Sequence, residues 1–152
     1  MAKIYFEDLT EGIQLSCQPV VLTREEMIDF AMKYDPQPFH IDESAAEHSI
    51  FGGLIASSLH TLSTCTRAVV DALGDTAVLT GTGIEEVHLY HPVKPDDILT
   101  VHAVWKDLHL SNEKPDRGYA TLHCQVKNQK GEPVVSYGYH YLIACRNHHL
   151  FR

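Results

Sequence analysis

An aspartate and a histidine stand five residues apart in the segment Tyr34-Asp35-Pro36-Gln37-Pro38-Phe39-His40-Ile41-Asp42. Pro36 and Pro38 fix a non-helical excursion there, because proline lacks an N–H and restrains the residue before it. Held at the two ends of a rigid loop, a carboxylate and an imidazole face one water. That is what general acid–base chemistry beside a carbonyl requires. Further along, Phe51-Gly52-Gly53 leads into a run of apolar and small residues over 54–73. Glycine backbone can approach a ligand closely or take a positive φ. An amide at a helix N-terminus has no intrahelical acceptor and can stabilise an oxyanion. Asp35, His40 and the Gly53 amide, with Gly52 beside it, are therefore parts of one candidate catalytic site.

Several elements must position these groups. Thr23 followed three residues later by Glu26 is a capping-box signal. It opens a helix that carries Met27, Ile28, Phe30, Ala31 and Met32 and ends near Tyr34. Asp42 is best explained as the cap of a short helix over 44–47. Segment 54–73 has no ionised group until Arg67, so it reads as a buried helix, with Gly74 to end it. Strand patterns occupy 17–22, 84–91, 98–110, 119–126 and 133–144, with a hairpin turn at Asn128-Gln129-Lys130-Gly131. The expected architecture is α+β, an antiparallel sheet wrapped around one long central helix in a single domain over 1–152.

Composition removes several function classes. Hydrophobic residues are 44% and charged residues 21% of the 152, which is the profile of a globular chain rather than a disordered one. The formal charge of −8 is opposite to that of a general nucleic-acid binder. No apolar stretch approaches the roughly 20 residues that span a bilayer, so no membrane partner is expected. The opening MAKIYFEDLTEG turns acidic too early for a secretory signal, and the expectation is a cytoplasmic protein. Cys17, Cys65, Cys124 and Cys145 form no CxxC pair, as fits reduced and mostly buried thiols. Cys65 has no neighbouring base and reads as packing. The 11 histidines raise the question of a metal. His88 and His91 point to opposite faces of a strand, His148-His149 sit in a polar tail, and His40-Ile41-Asp42 has no third ligand nearby. No metal and no cofactor is expected.

The segment Asp35-x-Gln37-Pro38-Phe39-His40-x-Asp42, followed by Phe51-Gly52-Gly53-Leu54-Ile55-Ala56-Ser57, resembles the MaoC-like dehydratases, the R-specific enoyl-CoA hydratases. Tyr90-His91-Pro92-Val93-Lys94-Pro95-Asp96-Asp97 is similar to a later turn of that family, and the resemblance runs over roughly residues 5–145. It implies a hotdog fold, with Asp35 and His40 as the catalytic pair and the Gly53 amide on the thioester oxygen. It also implies that Thr61 lines the site and that the protein is a homo-oligomer, a dimer or higher, with its site at the subunit boundary. The implied reaction is reversible addition of water to a trans-2-enoyl thioester carried by CoA or a carrier protein. Gln37 stands where the family usually has asparagine, and it can still orient a water or a backbone group.

Two other functions compete. A hotdog thioesterase usually carries a carboxylate on or near the start of the central helix, whereas here the first is Asp71 at the far end. A non-catalytic acyl-CoA-binding module would be free to lose the aspartate–histidine pair, and both residues are present. Arg67, Lys94, Lys114 and Arg117 are unranked candidates for the phosphates of the carrier.

Overall fold

Two short strands, β1 (Gln14–Ser16) and β2 (Val20–Val21), precede three helices, α1 (Arg24–Tyr34), α2 (Pro38–Ile41) and α3 (Glu43–Glu47). The long helix α4 (Ser58–Leu73) follows, then β3 (Val78–Leu89), β4 (Ile98–Leu110), β5 (Arg117–Lys127) and β6 (Pro133–Ala144). The computed structural model describes residues 2–147, so the His148-His149 pair lies outside the described residues. The strands form one antiparallel sheet in the order β1-β4-β5-β6-β3, with β2 also paired to β4.

The sheet alternates as its sequence does. Ala120, Leu122, Cys124 and Val126 of β5 point inward and are buried, while Tyr119, His123, Gln125 and Lys127 are exposed. The inward residues of β4, β5 and β6, among them Val101, Trp105, Leu122, Tyr137 and Ile143, pack on Cys65, Ala68, Val69 and Leu73 of α4. This is the hotdog arrangement, a sheet curled around one helix. At one end Phe6 lies against Gly118, where an added Cβ would come within 2.5 Å of the ring. All four cysteines are free, and burial pushes the Cys65 and Cys124 thiols up to about 12. A thiol so raised is not a nucleophile near neutral pH.

The observed elements depart from the sequence expectation in four places. Of the strand expected over 17–22 only Val20–Val21 forms, as β2, while β1 lies ahead of that range at Gln14–Ser16, and Pro19 between them cannot donate to the β4 ladder. The excursion after α1 is shorter than the prolines suggest, since Pro38 occupies the first position of α2, where a missing N–H costs nothing. The central helix begins at Ser58 rather than at residue 54. Residues 54–57 are held extended by Ile55 N–H donating to Phe39 O and Ala56 N–H donating to Val93 O. Finally, β3 starts six residues before the expected 84, through Thr80-Gly81-Thr82-Gly83, which carries little strand propensity of its own. Register with β6 supplies that stretch, and Gly81 leaves room for the Tyr139 ring.

Candidate active site

α1 is built to end at the site. Thr23 caps its start by accepting from Glu26 N–H, and Met27 and Ala31 bury its inner face. Its C-cap is Asp35, whose own N–H closes the last turn on Ala31 O at 2.8 Å. Two residues on, Gln37 caps α2, and one turn of that helix carries His40 into the interior with 5% of its surface exposed. Phe39 meets the His40 ring edge-on at 4.6 Å and limits its rotation.

His40 Nδ1 is 2.8 Å from Ile55 O. A carbonyl only accepts, so Nδ1 donates to it and Nε2 is left on the side of the ring that faces Asp35. That Nε2 lies 3.4 Å from Asp35 Oδ2. Both residues line one cavity, so the two atoms can act on the same bound molecule.

Asp35 is fixed on both oxygens. Gln37 Nε2 donates to Oδ1 at 2.7 Å, and Ser57 Oγ donates to Oδ2 at 2.7 Å. These two hydrogen bonds, Ser57 first, lower the Asp35 pKa below its usual value, with a smaller contribution from the nearby His40. The carboxylate is therefore ionised throughout the neutral range. Ser57 is fully buried and stands at the N-cap of α4, yet it makes no capping bond. Its hydroxyl is spent on Asp35 instead, forgoing roughly 1 kcal/mol of ordinary cap stabilisation.

The opening of α4 leaves backbone amides without intrahelical acceptors. The first intrahelical bonds run from His60 and Thr61 N–H to Ser57 O, so the amides of Ser58 and Leu59 precede them. Ser58 lines the same cavity of about 310 Å³ as Asp35, Gln37, His40 and Thr61. Ile55, Leu89, Tyr90, Val93 and Val134 make its apolar wall. Among the described residues no three His, Cys, Asp or Glu side chains converge so as to hold a metal.

Of the residues singled out in the sequence, Asp35, Gln37, His40 and Thr61 therefore share one cavity. Gly52 and Gly53 do not line it; they line a neighbouring cavity, five residues before the helix that Gly53 was expected to begin. The helix-terminal amide belongs to Ser58. Thr61 is buried, with its hydroxyl 3.5 Å from Ser57 O, at the limit of a hydrogen bond. Ser57 and Ser58 escaped the sequence reading because the helix seemed to start earlier. The available signal was a serine pair at the head of an apolar helix, which is N-cap chemistry.

A profile of the family described as "MaoC like domain" matches residues 9–125. The crystal structure of a MaoC-like dehydratase from Rhodospirillum rubrum superposes with a TM-score of 0.87 at 33% identity, covering 94% of this chain and 98% of that one. Protein MaoC of Klebsiella aerogenes is 32% identical over 111 residues, 72% of this chain but 33% of that protein. An R-hydratase from Pseudomonas aeruginosa shares the fold, with a TM-score of 0.72 at 22% identity over 94% of this chain and 86% of that one.

Proposed function

Because this chain belongs to the MaoC-like domain family, we propose that it is a hydro-lyase adding water reversibly to trans-2-enoyl thioesters. The observation that carries this reading is the shared focus of His40 Nε2 and Asp35 Oδ2, across one cavity from the Ser58 amide. Water donates one O–H to each acceptor, and its oxygen attacks C3 of the substrate. His40 Nε2 takes one proton while Asp35 stays ionised and holds the imidazolium that forms. The electron pair of the double bond moves toward the thioester oxygen, where the Ser58 N–H meets it. His40 then returns the proton to C2. The product keeps its thioester, and the family likeness favours the (R)-3-hydroxyacyl form.

Hydrolysis of the thioester is disfavoured by α4 itself. Its carboxylate, Asp71, is exposed near the far end and bonded to Arg67 at 3.0 Å. The whole described chain acts as one hotdog domain in this reading, and its free thiols fit a reducing cytoplasm. No helix among the described residues is long and apolar enough to cross a membrane. The assembly proposed is a homodimer. β3 ends the sheet with an unpaired edge, and residues 79–91 are exposed on both faces, with Ile84, Val87, Leu89 and Tyr90 among them. A second copy pairing there removes an aggregation-prone edge and closes the cavity wall that Leu89 and Tyr90 begin. Light scattering reads this directly, a dimer or higher being expected and a monomer at micromolar concentration contradicting it. The activity is tested with trans-2-butenoyl-CoA and longer enoyl-CoA thioesters. Loss of enone absorbance without thiol release is expected, whereas thiol release from saturated acyl-CoA with no enone loss would replace the reading by the thioesterase alternative.

A further inference from the structure

Helix α4 carries five hydroxyl side chains, Ser58, Thr61, Ser63, Thr64 and Thr66. Ser63, Thr64 and Thr66 donate to the carbonyls one turn before them, Leu59, His60 and Leu62, at 2.8, 2.9 and 2.8 Å. Thr61 leans the same way, toward Ser57 O at 3.5 Å. This back-bond to the preceding turn is the ordinary resting place of a helix hydroxyl. Ser58 has no such place. The carbonyl it would need belongs to Leu54, which lies in the extended stretch ahead of the helix rather than one turn below. Among the described residues the Ser58 hydroxyl has no hydrogen-bond partner.

The place of that hydroxyl gives its freedom a consequence. Ser58 is half-buried and lines the catalytic cavity with Asp35 and His40. Two other hydroxyl residues line it, and each has a partner. Thr61 leans on Ser57 O, and Tyr90 Oη is 2.9 Å from Ser136 Oγ. Ser58 therefore brings the one uncommitted hydroxyl to that lining among the described residues. The same freedom argues against a nucleophile, which needs a base on its hydroxyl. His40 turns Nδ1 to Ile55 O and Nε2 to Asp35 Oδ2, and neither nitrogen accepts from Ser58. A donor remains. The proposed hydration drives negative charge onto the thioester oxygen, and a carbonyl oxygen has two lone pairs to satisfy. The Ser58 N–H accounts for one. The hydroxyl belongs to the same residue and can be turned toward the other by rotation about its Cα–Cβ bond alone.

We infer that the Ser58 side chain is a further catalytic residue, its O–H donating to the thioester oxygen beside the Ser58 N–H as charge develops there. This rests on the hydratase reading and deepens it. Ser58→Ala is expected to lower kcat about 10²-fold, the scale of one oxyanion donor, with KM little changed. Ser58→Thr, which keeps a hydroxyl, is expected to retain most of the turnover. Thermal unfolding of Ser58→Ala is expected to match the wild type, because the hydroxyl has no protein partner to lose. A second readout needs no turnover. The infrared carbonyl stretch of isotope-labelled trans-2-butenoyl-CoA bound to the Asp35→Asn protein is expected to lie below its value in water. Adding Ser58→Ala is expected to return it part of the way. Wild-type turnover in Ser58→Ala with an unmoved carbonyl stretch overturns the inference. Turnover above wild type also overturns it, since the hydroxyl would then be an obstruction. So do equal losses in Ser58→Ala and Ser58→Thr, or a loss of turnover matched by a loss of folding stability. An acyl group found on Ser58 by mass analysis would make the residue a nucleophile instead, against the inference. Wild-type protein that binds enoyl-CoA but hydrates none would overturn the hydratase reading beneath, and the carbonyl stretch would still test the donor.

Discussion

α4 is not buried all round as its sequence suggests, since Leu59, Ser63, Arg67 and Val70 are exposed, but each half turns one face inward, and the two faces hold opposite kinds of environment. Its C-terminal half sets Cys65, Ala68, Val69 and Leu73 against inward residues of the sheet, with no directed bond to a partner side chain. Its N-terminal turn buries Ser57 just as deeply, but there the serine's polar atoms are committed to named partners. The Ser57 hydroxyl goes to Asp35, its carbonyl starts the helix, and Ser58 lines the cavity. Burial in the first half produces stability through area and packing. In the second, burial makes each hydrogen bond geometrically definite, which fixes a reactive pair. A substitution should therefore move stability at one end of the helix and chemistry at the other.

The largest effect falls on the polar end. Asp35→Asn keeps the shape of the side chain and removes its charge, and turnover should drop by roughly 10²–10⁴-fold, the scale of a positioned acid–base group. Thermal unfolding should change little, and a folded variant with near wild-type turnover would erase the distinction between the two ends. His40 is less clean as a target, because the ring is buried in α2 and its removal leaves a hole as well as a missing base. At the packing end, Leu122→Ala should cost about 2–5 kcal/mol by denaturant unfolding while turnover per folded molecule holds. A fall in turnover without a fall in stability would show the core participating directly.

Ser57→Ala is the intermediate case, since it removes a bond at the junction. Turnover should fall about tenfold, the scale of one hydrogen bond to a charged group. The direction in pH is fixed. Ser57 lowers the Asp35 pKa, so losing it raises that pKa and moves the acid limb of the rate profile to higher pH. In the wild type, the stability contributed by this carboxylate is present above its ordinary value of 3.8 and is lost as pH falls through the lowered folded value. An unmoved acid limb in the variant would mean that Ser57 serves packing alone. Thr61→Val is the smallest expected change, because its bond at 3.5 Å is marginal. Less than about 1 kcal/mol of stability and an unaltered pH profile are expected.

The proximity of Asp35 and His40 was legible because they are close in the chain with Pro36 and Pro38 between them. The sheet was legible where burial alternates with period two, as along β5. It was not legible in Thr80-Gly81-Thr82-Gly83, where the strand exists through pairing with β6 rather than through propensity. The head of α4 was misplaced for a related reason. Residues 54–57 are apolar or small like the helix after them, and only the distant acceptors Phe39 O and Val93 O hold them extended. That four-residue displacement moved the helix-terminal amide to Ser58 and concealed Ser57. Local sequence reports period and capping, but the choice between helix and extended chain was made by carbonyls far away in the sequence.

The central claim is that the water held by Asp35 and His40 reaches C3 rather than the thioester carbon. A single turnover of trans-2-butenoyl-CoA in heavy-oxygen water, followed by mass analysis of the product, reads this directly. The expected result is one heavy oxygen on the C3 hydroxyl of an intact thioester, and its absence when Asp35→Asn replaces the wild type. Heavy oxygen in a free carboxylate, with CoA released, would contradict the account.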